Sequence, residues 1–126
     1  MTNKRLLLLD DEETILFAFR NYFTRCGFDV VCARELEEAE ALVTYVEFDL
    51  VIADVCLTAP GSTEGLEFIR YVRSVSPRAR LIVITGHDGM GVRAEALRRG
   101  ADAFVAKPRP LGEIAKIAAE LMGAAA

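Results

Sequence analysis

Asp49-Leu-Val-Ile-Ala-Asp54 is the stretch from which the rest of the chain can be read. Leu50–Ala53 is apolar throughout rather than alternating, the pattern of a parallel strand covered on both faces. An aspartate ending such a run rarely belongs there for packing. Outward from it, Leu6–Leu9, Phe28–Ala33, Leu81–Thr85 and Ala103–Ala106 are further strand candidates. Helical periodicity fills the gaps. Ile15, Phe19, Tyr22, Phe23 and Cys26 share one face, with Gly27 as a stop. Leu36, Ala39, Leu42, Val43 and Val46 form a second stripe. Leu66, Ile69, Val72 and Val75 form a third, ended by Ser76-Pro77. Val92, Ala96 and Leu97 make a narrower one that stops at Gly100, and Leu111, Ile114, Ile117, Ala118 and Leu121 make the last. A strand-helix unit repeated five times implies an α/β domain, a parallel sheet with helices on both sides.

The composition bounds what such a domain can do. The chain has 126 residues, 15 Lys+Arg against 19 Asp+Glu, a net charge of −4 and 52% hydrophobic residues. That length suits one domain. The mild acidity argues against nucleic acid as a direct partner, because phosphate binding needs a basic face. No apolar run approaches a membrane span, and Leu6–Leu9 is too short for a signal-peptide core. Three cysteines (Cys26, Cys32, Cys56) without CxxC spacing read as reduced thiols of a cytoplasmic protein. Cys26 and Cys32 are read as packing thiols.

In an open α/β sheet, ligands bind beyond the carboxyl ends of the strands. There stand Asp10, Asp11, Glu12 and Glu13 after the first strand and Asp54 at the end of the third. Thr85-Gly86-His87 follows the fourth, and Lys107-Pro108 the fifth. Asp10, Asp11 and Asp54 at adjacent strand ends repel one another unless a proton or a cation joins them. Oxygen ligands without His or Cys suit Mg²⁺. The competing reading is that Asp10–Glu13 only charge a helix N-terminus, worth about 0.3–1 kcal/mol. The Lys107 ammonium reaches these carboxylates, or a phosphate held there, if the fifth strand neighbours the fourth.

Taken together, Leu6–Leu9 with Asp10-Asp11-Glu12, the run ending at Asp54, Leu81–Ile84 with Thr85-Gly86, and Gly100–Lys107-Pro108 resemble the receiver domain of two-component response regulators. The resemblance covers the whole chain. It implies a flavodoxin-like, doubly wound five-stranded sheet of order 2-1-3-4-5 flanked by five helices, with one receiver domain over 1–122 and a short tail over 123–126. It implies that Asp54 accepts a phosphoryl group from a sensor histidine kinase or phosphotransfer protein. Asp11, Asp54 and the main-chain carbonyl of Cys56 would bind Mg²⁺ directly, and Asp10 through water. Lys107 and Thr85 would meet the phosphoryl oxygens, and His87 would tune dephosphorylation. Phe104 matches the family's aromatic switch, whose ring lies at the surface made by the fourth helix, fifth strand and fifth helix and turns inward once Thr85 moves. That surface would carry an output domain, a partner protein or a homodimer contact. The Lys107-Pro108 bond is typically cis in this family. Apart from self-phosphotransfer and autodephosphorylation, no enzymatic turnover is implied.

Two departures from the family pattern stand out. The segment Asp54–Gly65 is about three residues longer than usual, an insertion that loops accommodate at small entropic cost. After Lys107-Pro108, Arg109-Pro110 replaces the common Phe. Gly86–Gly91 is superficially similar to a phosphate-cradling loop, but it follows the wrong strand and carries an aspartate. Asp54–Thr58 is similar to the haloacid-dehalogenase motif, with Cys56 where the second Asp belongs. The serious alternative is a receiver-like interaction module that is never phosphorylated. Its usual mark is loss of a hallmark residue, and none is lost. Glu35, Glu37, Glu38 and Glu40 read as a solvated helix face. Without an output domain in these residues, the chain reads as a stand-alone shuttle or a piece of a longer regulator.

Overall fold

In a computed structural model, residues 4–54, 64–86, 90–107 and 109–123 are described. Strands β1 (Arg5–Leu9), β2 (Asp29–Ala33), β3 (Leu50–Asp54), β4 (Arg80–Thr85) and β5 (Ala103–Ala106) alternate with helices α1 (Glu13–Arg25), α2 (Leu36–Tyr45), α3 (Glu64–Val75), α4 (Met90–Arg99) and α5 (Leu111–Leu121). The strands pair in the order β2-β1-β3-β4-β5, all parallel. Strand order reverses between β1 and β3, and a ligand crevice opens where neighbouring connections part to opposite faces.

Burial on both faces explains the unbroken apolar runs. Leu7, Leu9, Val51, Ala53, Leu81 and Val83 point to one face, where they pack with Ala39, Phe68, Val72 and Ala96 from α2, α3 and α4. Leu6, Leu8, Leu50, Ile52, Ile82 and Ile84 point to the other, against Leu16 and Phe23 of α1 and Ile114 and Ala118 of α5. Each such aliphatic side chain, fully buried, contributes about 1.5–3 kcal/mol. Both faces of the edge strand β2 are incompletely covered, and Val30, Val31 and Cys32 are only half-buried.

Both predicted glycine stops are present. Gly27 has φ +98° and Gly100 φ +123°, a region open to glycine without steric cost. At each, paired backbone bonds close the helix: Phe28 N to Phe23 O and Gly27 N to Thr24 O, Ala101 N to Ala96 O and Gly100 N to Leu97 O.

The helical stripes differ in detail from the sequence reading. On α1, Leu16 is buried while Cys26 is exposed, so Cys26 is not a packing thiol. It lies just past the last helical residue, where the chain turns away at Gly27. Phe23 holds that end instead, with ring centroids of Phe19, Tyr22 and Phe28 at 6.1, 5.6 and 5.8 Å. On α3 the fully buried Phe68 replaces Val75, which is 39% exposed.

Candidate functional site

The register brings the polar strand ends together. Leu9 pairs with Ala53 and Asp54 with Ile84, so Asp10 and Asp54 follow adjacent central strands. Thr85 pairs with Ala106, and the Lys107 N–H donates to Thr85 O at 2.8 Å. Four of the predicted residues thus share one crevice: Asp10, Asp54, Thr85 and Lys107.

Asp10 is the most constrained of them. It is 5% exposed, its N–H donates to Ala33 O at 3.1 Å, and its Oδ1 accepts the Glu12 N–H at 2.8 Å. Burial pushes its carboxyl up to about 7. The Glu12 N–H opposes that shift, the hydrogen bond and charge of Asp54 reinforce it, and Lys107 opposes it again. With the Asp54 carboxyl beside it, Asp10 favours its protonated form, and a cation bound there would take the proton's place. Lys107 Nζ donates to Asp54 Oδ2, with the two side chains 32% and 17% exposed. Burial disfavours its ammonium, but the hydrogen bond and charge of Asp54, backed by Asp10 and Glu12, outweigh that and raise its pKa.

Carboxylate oxygens of Asp10, Asp11 and Glu12 lie within 4.8 Å of one another. Asp54 joins this group through Asp10 rather than by belonging to it. The sequence reading singled out Asp10, Asp11 and Asp54 and passed over Glu12 as a ligand. Its one signal was its place in the acidic run Asp10–Glu13. The main-chain carbonyl of Cys56, His87, the extended loop around Thr58 and the Lys107-Pro108 bond lie outside the described residues.

Thr85 is 1% exposed at the end of β4. Phe104 is not at the surface as expected but 6% exposed, in the core layer under α3 and α4. Strand alternation sends it to the face opposite Ala103 and Val105, and on that face the helices cover it. The Arg93 guanidinium lies 5.5 Å from its ring centroid. An open apolar groove of about 310 Å³ borders the crevice between α1 and α5, lined by Ile15, Ala18, Phe19, Leu111 and Ile114, with Asp10 and Lys107 at its mouth. The site therefore offers a partly buried carboxylate nucleophile, an ammonium against it, and a hard oxygen donor set beside it.

The match to the response regulator receiver domain family runs over residues 6–119. The chain belongs to the receiver domain family. It is 34% identical over 104 residues to the alginate biosynthesis transcriptional regulatory protein AlgB of Pseudomonas aeruginosa, a match covering 82% of this chain and 22% of AlgB. The chain thus spans well under a third of that curated relative. A CheY-like receiver domain protein from Methanospirillum hungatei superposes with a TM-score of 0.87 at 26% identity, covering 96% of this chain and 94% of that one. A response regulator from Burkholderia pseudomallei, whose structure holds a phosphorylated aspartic acid and a calcium ion, superposes with a TM-score of 0.79 at 27% identity. That match covers 94% of this chain and 72% of that one. Membership makes this receiver domain a phosphorylation-controlled signalling module of two-component systems. Among the described residues, no helix is long and apolar enough to cross a membrane.

Proposed function

We propose that Asp54 is the phosphoacceptor of this receiver domain and that a sensor histidine kinase or phosphotransfer protein is the donor. The observation that carries the reading is the Lys107 ammonium held against the Asp54 carboxylate beside the buried Asp10. An Asp54 oxygen attacks phosphorus in line, an O–P bond forms, and the P–N bond to the donor imidazole breaks. The departing imidazole keeps the electron pair and takes up a proton. Lys107 offsets charge on the transferred oxygens, and the Thr85 hydroxyl turns to one of them.

The cation would be Mg²⁺ in this reading, held directly by Asp11, Asp54 and the main-chain carbonyl of Cys56, and by Asp10 through water. The donor set fits: it is all-oxygen and anionic, and a cation can replace the proton that buried Asp10 favours. Bound there, Mg²⁺ would supply positive charge to the phosphoryl oxygens. His87 tunes hydrolysis of the acyl phosphate, which the domain catalyses on itself. The output is a population shift of the Thr85 and Phe104 region, passed through α4, β5 and α5 to an output domain, a partner protein or a second copy. The domain works in the cytoplasm without direct nucleic-acid contact.

The test is incubation with acetyl phosphate and Mg²⁺, read by intact mass under mild conditions. One phosphoryl adduct is expected, absent in Asp54→Asn. An adduct that persists in the variant overturns the assignment, and no adduct with any donor favours an interaction module that is never phosphorylated.

A further inference from the structure

Away from the crevice, the most heavily bonded side chain is Arg73, in the last turn of α3. All five of its N–H donors are used. Nε and Nη2 donate to Gly100 O at 3.2 and 2.6 Å, and Nη1 to Pro77 O and Ala79 O at 3.0 and 2.7 Å. Nη2 also donates to Asp102 Oδ2 at 2.9 Å. That carboxylate oxygen accepts the Leu81 N–H at 2.8 Å, and Asp102 N donates back to Leu81 O at 2.8 Å. One guanidinium thereby joins the end of α3, the start of β4 and the turn from α4 into β5.

Gly100 is shaped to this contact. Its φ of +123° is unsuited to other residues, and a Cβ there would stand 3.0 Å from Arg73 Cγ and Nε. The turn it makes also closes α4 with the Ala101–Ala96 and Gly100–Leu97 backbone bonds. The carboxyl end of α4 is therefore fixed by charge-assisted bonds, which are roughly twice as strong as neutral ones.

The rest of α4 is held differently. Toward its amino-terminal end Val92 is half-buried and Ala94 exposed, ahead of the fully buried Ala96. Arg93 lies over Phe104 from an exposed position. Small, partly exposed contacts mark the low-stability end of an element.

We propose that Arg73 is a positioning residue that makes the Gly100 end of α4 a fixed pivot, so that α4 moves as a lever from its amino-terminal end. That end follows Thr85 in the chain and carries Arg93 over Phe104. Movement at the crevice would thus swing the Arg93 end while the turn into β5 stays in place. The regulatory use of the lever rests on the Asp54 reading. The lever itself does not.

Native-state amide exchange on the unmodified protein tests it. After correction for intrinsic rates, the Ala94 and Glu95 amides are expected to exchange at least about tenfold faster than those of Gly100 and Ala101, and in Arg73→Lys the gap closes to within about threefold. Arg73→Lys keeps the charge but not the fork, so a role in overall charge would leave the gap open. Equal protection along α4 in the wild type, or an unchanged gap in the variant, overturns the proposal. Should Arg73→Lys not fold, Asp102→Asn serves, with the same two outcomes. Adding beryllofluoride and Mg²⁺ to the wild type then separates the readings. Shifts centred on 92–95 with 100–102 still support regulated leverage. Binding with equal shifts at 100–102 overturns it, and failure to bind counts against the Asp54 reading while the exchange gap stands.

Discussion

At the amino-terminal ends of β4 and β5, Arg73 directs five donors to four residues, and one Asp102 oxygen accepts both an Arg73 N–H and the Leu81 N–H. At the carboxyl ends, Asp10 and Asp54 face each other with Lys107 against only one of them. Both clusters put partly buried charge between packed elements. The first satisfies its groups within the fold and so stabilises it. The second leaves a carboxyl whose charge the fold cannot balance, and that imbalance is what a cation and a phosphoryl group can relieve.

The unbalanced charge is greatest at Asp10. Its carboxyl titrates at about 7 in the folded protein against 3.8 in the unfolded chain. Below pH 4 both states hold the proton. Between 4 and 7 only the folded state holds it, so rising pH favours the unfolded chain, and above 7 the full cost is present. In metal-free buffer, the wild type should therefore lose about 2 kcal/mol in urea unfolding between pH 5.5 and pH 8, at about 1.4 kcal/mol per unit. Asp10→Asn should flatten that slope, and millimolar Mg²⁺ should restore much of the lost stability to the wild type alone. An equal slope in both proteins would mean that Asp10 is not the strained group.

At the satisfied end, Gly100→Ala adds a Cβ at a positive φ and against Arg73. It should cost about 1–2 kcal/mol by thermal or urea unfolding, with no dependence on Mg²⁺. A neutral result would mean that the Arg73 contact is loose. Smallest is Arg93→Ala, which removes a cation from the Phe104 ring at an exposed position. About 0.5–1 kcal/mol is expected, measured in the same unfolding experiment. A loss equal to that of Gly100→Ala would show that both ends of α4 are fastened alike.

The two ends were not equally legible in the sequence. Asp10, Asp54, Thr85 and Lys107 each follow an apolar run, and alternation of strands and helices places all run ends on one side of a parallel sheet. Their convergence follows from topology alone. Arg73 gives no such signal, because it is one of two arginines on α3 and its partners Gly100 and Asp102 lie 27 and 29 residues away. Phe104 was half legible: period-two alternation assigns its face, but not the depth of the helical layer over it. Leu16 and Phe68 were missed because a helix buries the residues its neighbours reach, and a stripe read from spacing alone can be a residue out of phase.

The central claim is that the strained crevice exists to form an acyl phosphate at Asp54. The most direct measurement is borohydride reduction of the protein after treatment with acetyl phosphate and Mg²⁺, followed by peptide mass spectrometry. An aspartyl phosphate is reduced to homoserine, whereas a free carboxylate survives. Homoserine at position 54, and at no other aspartate, is the predicted result. Phosphorylated protein in which Asp54 survives reduction intact would contradict the account.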